Sequence, residues 1–131
     1  MRRRHLARRL ERIASLKEQM ARTKRARAER RVRECAEEIV RREEAQAVAE
    51  RDIFSGSVIS GISPLSLIET SRAATHHAVE RLRETLIRRR EELGVHLTAH
   101  VATLAAKNSA EKVRDRVLKR WQLERDRRER I

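Results

Sequence analysis

The chain has 131 residues, of which 40% are charged and 2% aromatic, and its formal net charge is +13. Large apolar side chains are too few for a thick globular core, whereas enrichment in Ala, Leu, Glu, Lys and Arg is typical of long helices and coiled coils. The single cysteine, Cys35, excludes an intramolecular disulfide and a cysteine metal cluster, and we interpret it as a small apolar residue of a helix.

The start of the chain is basic, but no apolar run follows it as in a secretory signal. A mitochondrial presequence is poor in acidic residues, and Glu11, Glu18 and Glu29 argue against one. No apolar run approaches the roughly 20 residues that are needed to span a membrane. We therefore expect a soluble cytoplasmic protein that meets membranes only through its partners.

Apolar residues recur at three- and four-residue steps and predict a first helix over about 3–53. This first stripe consists of Leu6, Leu10, Ile13, Leu16 and Met20, followed by Ala28, Val32, Cys35 and Ile39. Because a long, highly charged helix is not stable alone in water, we expect the stripe to pack against a partner helix.

Two of the three glycines and the only proline fall within residues 54–66. Glycine and proline interrupt helices, so this segment predicts a turn at which the chain reverses. Ser63 and Pro64 fit a helix cap followed by the first helical position, which predicts a start near Pro64 or Ser66. We place the second helix at about 67–129.

The second run carries its own stripe: Val79, Leu82, Leu86, Leu93, Leu97, His100 and Leu104, drifting later through Val113, Val117 and Trp121. Gly94 interrupts it at a cost of about 1 kcal/mol, which does not end a long helix. The two stripes predict an all-α fold, a long antiparallel two-helix coiled-coil hairpin that forms a single domain over residues 1–131.

Positive charge is concentrated at the two ends of the sequence. Residues 1–33 hold 14 Lys/Arg and 3 Asp/Glu, and residues 107–131 hold 10 and 5, whereas residues 34–54 hold 3 and 7. An antiparallel hairpin brings the two basic segments together with a combined formal charge of +16. Because like charges repel, we expect this end to be the loosest part of the free protein.

Catalytic motifs are absent from the sequence: it has no phosphate-binding glycine loop, no dinucleotide-binding turn and no nucleophile elbow. His96 and His100 stand four residues apart, a spacing found in metal sites, but no further ligand is near. We interpret His100 as a polar residue of the helix seam and His96 as its flank. We expect no enzyme activity, no cofactor, no metal and no small-molecule substrate.

Several binding functions remain open at this point. The arginine-rich ends fit electrostatic binding to nucleic acid, although no aromatic platform is present for stacking bases. The stripe over residues 6–20 lacks the Trp or Phe anchors of a membrane-surface helix. A homodimeric coiled-coil scaffold, in which residues 54–66 only bend, is a further alternative. Trp121 either covers the seam near the termini or anchors a partner.

Three segments carry a family resemblance: the basic residues 1–12, the Gly/Ser segment that leads into Gly-Ile-Ser-Pro-Leu-Ser-Leu-Ile at 61–68, and the Lys/Arg/Glu-rich residues 107–130. In these and in its size, the chain resembles the FliJ/YscO-type stalk proteins of flagellar and injectisome type III export machines. The resemblance implies a shape similar to the coiled-coil part of a rotary ATPase stalk. It also implies binding to the hexameric export ATPase, whose assembly and activity such proteins promote, and contact with the export gate and substrate chaperones.

The resemblance and the charge distribution together suggest two sites. The predicted ATPase-binding residues are basic and lie at both ends of the sequence: Arg2, Arg3, Arg4, Arg8, Arg9, Arg12, Lys119, Arg120, Arg125, Arg127 and Arg128. The predicted gate-binding residues open the second helix: Leu65, Leu67, Ile68 and Arg72. The implied mechanism is allosteric coupling within a ring, without bond chemistry.

Overall fold

The computed structural model describes residues 2–56 and 63–130 of the chain. Helix α1 comprises Arg2–Gly56 and helix α2 comprises Pro64–Glu129, and the described residues contain no strand. The two helices pack against each other, which confirms the predicted all-α antiparallel two-helix fold. The middle of the predicted turn, residues 57–62, lies outside the described residues.

Both helices extend further towards the turn than their predicted bounds. Helix α1 continues past residue 53, and the hydroxyl of Ser55 donates a hydrogen bond to the carbonyl of Arg51 at 2.8 Å in its last turn. Helix α2 begins at Pro64, where the backbone N–H of Leu67 donates to the carbonyl of Ser63 at 3.2 Å. Ser63 therefore occupies the cap position that precedes a proline at the first helical position.

The contacts of the chain divide it into two units. We call Met1–Arg27 with Gly94–Ile131 the terminal unit, and Ala28–Leu93 the central unit. The terminal unit holds 21 Lys/Arg and 7 Asp/Glu, a formal charge of +14, whereas the central unit holds 12 and 13, a charge of −1. The excess positive charge of the protein therefore belongs to one unit.

The central unit has apolar buried residues in its seam, beside a polar contact in which Gln46 accepts hydrogen bonds from the hydroxyls of Ser71 and Thr75. Its buried residues are Ala28, Cys35, Ile68 and Val79, of which Ile68 is 4% exposed. The thiol of Cys35 donates a hydrogen bond to the carbonyl of Leu82 at 3.3 Å, so this cysteine packs as the small seam residue predicted from the sequence. Removing such side chains from water supplies the main favourable term in packing two helices.

Ion pairs cross the central unit in antiparallel order. Arg31 lies 3.9 Å from Glu92 and Arg83 lies 3.5 Å from Glu43, while Arg72 pairs with Glu50. Residue numbers rise on one helix as they fall on the other. Most of these side chains are half exposed, so the pairs fix the register of the helices more than they stabilise the fold.

The seam of the terminal unit is different, because its buried residues are Ala7, Ala21, Glu18 and His100. The prediction that the leucine stripe of α1 forms this part of the seam is wrong. Exposed fractions of 42% to 61% are found along the stripe at Leu6, Leu10, Ile13, Leu16 and Met20. Alanines one position further along the chain face α2 instead. Spacings of three, four or seven residues join Ala7, Ala14, Glu18 and Ala21, as in a coiled-coil seam.

The later part of α2 agrees only partly with its predicted stripe. Val79 and His100 are buried and Leu82, Leu86, Leu93 and Leu97 are half-buried, as the stripe requires. Leu104 and Val113 are 41% and 46% exposed, so the stripe leaves the seam within the terminal unit. Within the described residues, neither helix contains a segment long and apolar enough to cross a membrane.

Candidate protein-interaction surface of the terminal unit

The arginines of the first three turns of α1 make no ion pair with a carboxylate of the described residues. All but Arg4 are exposed, and the set comprises Arg2, Arg3, Arg4, Arg8, Arg9 and Arg12. In the last turns of α2, Arg125 lies 3.7 Å from Glu129. Exposed residues of that segment without such a pair in the described chain are Lys119, Arg120, Arg127 and Arg128. Unpaired charge of this kind is available to an acidic partner.

Trp121 contacts an arginine from each of the two basic segments. The guanidinium carbon of Arg4 lies 4.6 Å from the centre of the indole ring, and that of Arg125 lies 5.3 Å from it. Both distances fit cation–π contacts. Because Trp121 is half-buried and contacts Arg4 on the other helix, it covers the end of the seam and also holds arginines in place.

An open cavity of about 400 Å³ lies beside this tryptophan. Its walls are mostly basic, with Arg2, Arg3, Arg4, Val117, Arg120, Trp121 and Glu124 as lining residues. The Nε atom of Arg4 is buried and lacks a hydrogen-bond partner among the described residues. The exposed guanidinium groups of Arg2, Arg3 and Arg120 favour an incoming oxygen acceptor at this cavity.

A polar network occupies the middle of the terminal seam. Arg22 donates to both carboxylate oxygens of Glu18, at 2.7 and 3.2 Å. The Nε2 atom of His100 donates to Glu18 at 3.0 Å, while Arg25 donates to Nδ1 of His100 at 3.2 Å. These roles fit the neutral histidine with its proton on Nε2. The hydrogen bonds from Arg22, and then from His100, lower the pKa of Glu18 from 4.5 to about 2.

A second polar contact crosses the helices nearer the chain ends. Arg114 of α2 pairs with Glu11 of α1 and also bonds Asp115 at 3.0 Å. These carboxylates, Glu11 first, raise the pKa of Arg114. The charges that face the seam are thus satisfied within the chain. Apart from Arg4, the arginines named above that lack a carboxylate are exposed, where a partner reaches them.

An apolar groove of about 350 Å³ lies alongside the same seam. Its walls come from both helices and consist of Ala7, Leu10, Ile13, Ala14, Lys17, Thr103, Ala106, Ser109, Ala110 and Val113. Sequence reasoning missed this groove. The leucine stripe of α1 contained the signal for it, because Leu10 and Ile13 of that stripe line the groove. The sequence pattern alone placed the whole stripe in the seam.

The predicted gate-binding residues lie in the central unit and differ in their accessibility. Leu65 is 66% exposed and Leu67 is half-buried, whereas Ile68 is buried in the seam. Arg72 is already paired with Glu50, and this contact lowers the pKa of that carboxyl. Only Leu65 of the four therefore presents a large apolar surface without a partner in the described chain.

The two histidines that stand four residues apart lie in different surroundings. His100 is buried against Glu18 and Arg25, as expected of a polar seam residue, and His96 is half-buried. Across the described residues, no group of three or more His, Cys, Asp or Glu side chains is placed to hold a metal ion.

Comparison with known proteins gives no relative for this chain, since no family model, no curated protein and no solved structure matches it.

Proposed function

We propose that this chain is a cytoplasmic, central-stalk-like coiled-coil component of a type III export apparatus. In this proposal it binds the hexameric export ATPase, promotes the assembly and activity of that enzyme, and links it to the export gate. The observation that carries the proposal is the unpaired positive charge of the terminal unit, which unites the arginines of both ends of the sequence.

The contrast between paired and unpaired arginines of the terminal unit supports an acidic protein partner. Arginines in the seam, such as Arg114, already have carboxylates. Exposed ones such as Arg8, Arg9 and Arg12 have none within the described residues. Charge of one sign steers association with a complementary surface, and a planar guanidinium bonds a carboxylate through two nitrogens. An acidic ring lumen would supply both.

The gate contact in this proposal is restricted to the exposed side chains near the turn. Leu65 is the best placed of the four predicted residues, since Ile68 is buried and Arg72 is paired. Phe54, which was not predicted, is a further large apolar side chain of the same unit and is 64% exposed. Apolar side chains of this size are the usual anchors of a protein interface.

The experiment that tests the proposal is ATP turnover by the export ATPase of the same organism, with and without this protein. The test variant replaces Arg8, Arg9 and Arg12 by Gln. The control replaces Arg81, Arg88 and Arg90 of the central unit by Gln. All six are exposed, so both variants lose the same charge from the surface. We expect stimulation by the wild type and the control, and its loss in the test variant.

Two results would contradict the proposal. One is the absence of stimulation together with unchanged ATPase binding by the Arg8, Arg9 and Arg12 variant. The other is tighter binding of the protein to duplex DNA or RNA than to the ATPase, with a logarithm of affinity that falls steeply with the logarithm of salt concentration. That second outcome would favour an electrostatic nucleic-acid binder.

A further inference from the structure

The apolar groove of the terminal unit exposes side chains that are normally buried. Leu10, Ile13 and Val113 expose 50%, 42% and 46% of their surface along its walls. On α2, Ala106 and Ser109 form a low wall of the groove, because their side chains are small. Two projecting aliphatic side chains on one helix opposite small residues on the other make a channel that a third helix fits.

Positive charge lies at both ends of this apolar stretch. Arg3 precedes Leu10 by seven residues and Lys17 follows it by seven, so the three share one face of α1. On α2, Arg120 follows Val113 by the same interval. Arg3 and Arg120 line the cavity beside Trp121, and Lys17 lines the groove itself. The residues that line the cavity and the groove all belong to the described part of the chain, and Glu124 is the only carboxylate among them.

We propose that this groove binds an acidic amphipathic helix of another protein. Leucine or isoleucine side chains on one face of that helix pack against Leu10, Ile13 and Val113. Glutamate and aspartate side chains at its flanks bond Arg3, Lys17 and Arg120.

Charge selects this occupant over a second copy of the chain. The terminal unit carries +14, so packing two such units groove to groove brings like charges together. An acidic helix instead neutralises the flanking cations while it buries the same apolar surface. The apolar walls take the inference beyond the proposed function, because Leu10, Ile13 and Val113 are not among the proposed ATPase contacts. The flanking residues Arg3 and Arg120 belong to both surfaces, so the Leu10 variant is the one that separates the two proposals.

The probe for this proposal is a fluorescent helical peptide of about 18 residues, roughly five turns, with leucines on one face and glutamates elsewhere. Two control peptides carry lysine in place of every glutamate, or serine in place of every leucine. Fluorescence anisotropy with the full-length protein should show binding of the first peptide alone. Its affinity should weaken as salt is raised, because salt screens the flanking charges.

Two variants of the protein locate the binding surface. Leu10→Gln removes an apolar wall of the groove and should weaken binding about ten-fold or more. Leu16→Gln makes the same change at a leucine that is 55% exposed on α1 but does not line the groove, and it should leave the affinity unchanged. Circular dichroism checks that both variants remain helical.

Several outcomes would overturn the proposal. Equal affinity for the serine peptide would show that charge alone drives binding. Binding of the lysine peptide would show that acidic residues are not needed. Equal effects of Leu10→Gln and Leu16→Gln would move the contact away from the groove. A dimer mass in sedimentation that Leu10→Gln abolishes would assign the groove to a second copy of the chain.

Discussion

The same two helices form two units that use their side chains in opposite ways. The central unit buries Ile68 and Val79 between the helices and carries a formal charge of −1. The terminal unit buries alanines with a Glu18–His100 pair, exposes the leucines at the start of α1 and carries +14. Length and helical periodicity alone therefore do not determine which side chains of a helix pair are available to a partner. The identity of the residues that face the seam determines it.

This difference suggests a division of labour. Apolar burial in the central unit gives it a stable seam of its own. The terminal unit buries only alanines among its described apolar residues and exposes Leu6, Leu10, Ile13, Leu16 and Met20 on a helix that also carries unpaired arginines. A helix pair that keeps its apolar and charged groups outward gains stability when a partner covers them. We therefore assign stability to the central unit and binding to the terminal unit.

The largest expected effect on stability comes from a substitution that disrupts the seam of the central unit. Ile68→Ala should lower the free energy of unfolding by about 2–4 kcal/mol, because it removes buried methyl groups and leaves a cavity. Leu65→Ala, at a residue that is 66% exposed in the same helix, should change it by less than about 0.5 kcal/mol. Urea unfolding followed by circular dichroism measures both. Equal losses would show that Ile68 does not pack as described.

The next effect tests which stripe of α1 faces the terminal seam. Ala21→Leu should destabilise the protein by about 1–3 kcal/mol, since a larger side chain does not fit where Ala21 is only 9% exposed. Met20→Leu changes the neighbouring residue of the leucine stripe, which is 61% exposed, and should cost less than about 0.5 kcal/mol. A destabilising Met20→Leu with a neutral Ala21→Leu would restore the leucine stripe to the seam.

The smallest expected effect comes from the polar network, because its partner Arg22 is 58% exposed and solvent screens the pair. Folding lowers the pKa of Glu18 from 4.5 to about 2, so the ionised carboxylate stabilises the fold above about pH 4.5. That contribution is lost as the pH falls towards 2. Glu18→Gln should therefore lower the melting temperature at neutral pH, and the gap to the wild type should close on acidification.

A matched control for this prediction is Glu34→Gln, which makes the same change of charge at an exposed residue of the central unit. We expect its melting temperature to follow that of the wild type at every pH. A gap between Glu18→Gln and wild type that stays constant from neutral pH down to pH 2 would contradict the assigned role of the carboxylate.

The sequence predicted the helices, their antiparallel pairing and the ends where positive charge collects. Two glycines and the only proline lie within residues 54–66 and mark the turn, and the number of charged residues in each segment shows where positive charge collects. It did not predict which residues line the terminal seam. Leu6, Leu10, Ile13 and Met20 follow a coiled-coil spacing, but Ala7, Ala14 and Ala21 lie seven apart as well. Two such stripes are about 100° apart on a helix, and only the opposing residues select between them.

His100 illustrates that selection. A buried histidine needs hydrogen-bonding partners, and Glu18 supplies one from the alanine stripe. Satisfying this pair turns the alanine face towards α2 and the leucines outward. Periodicity carries no information on such a pairing, because the partner lies 82 residues away in the sequence.

The central claim is that the central unit holds the fold and the terminal unit is the looser part of the free protein. Residue-resolved hydrogen exchange of the full-length chain at low salt tests it most directly. We predict the slowest exchange at amides within 28–56 and 63–93, and faster exchange within 2–27 and 94–130. Equal protection across both units, or slower exchange in the terminal one, would contradict the account.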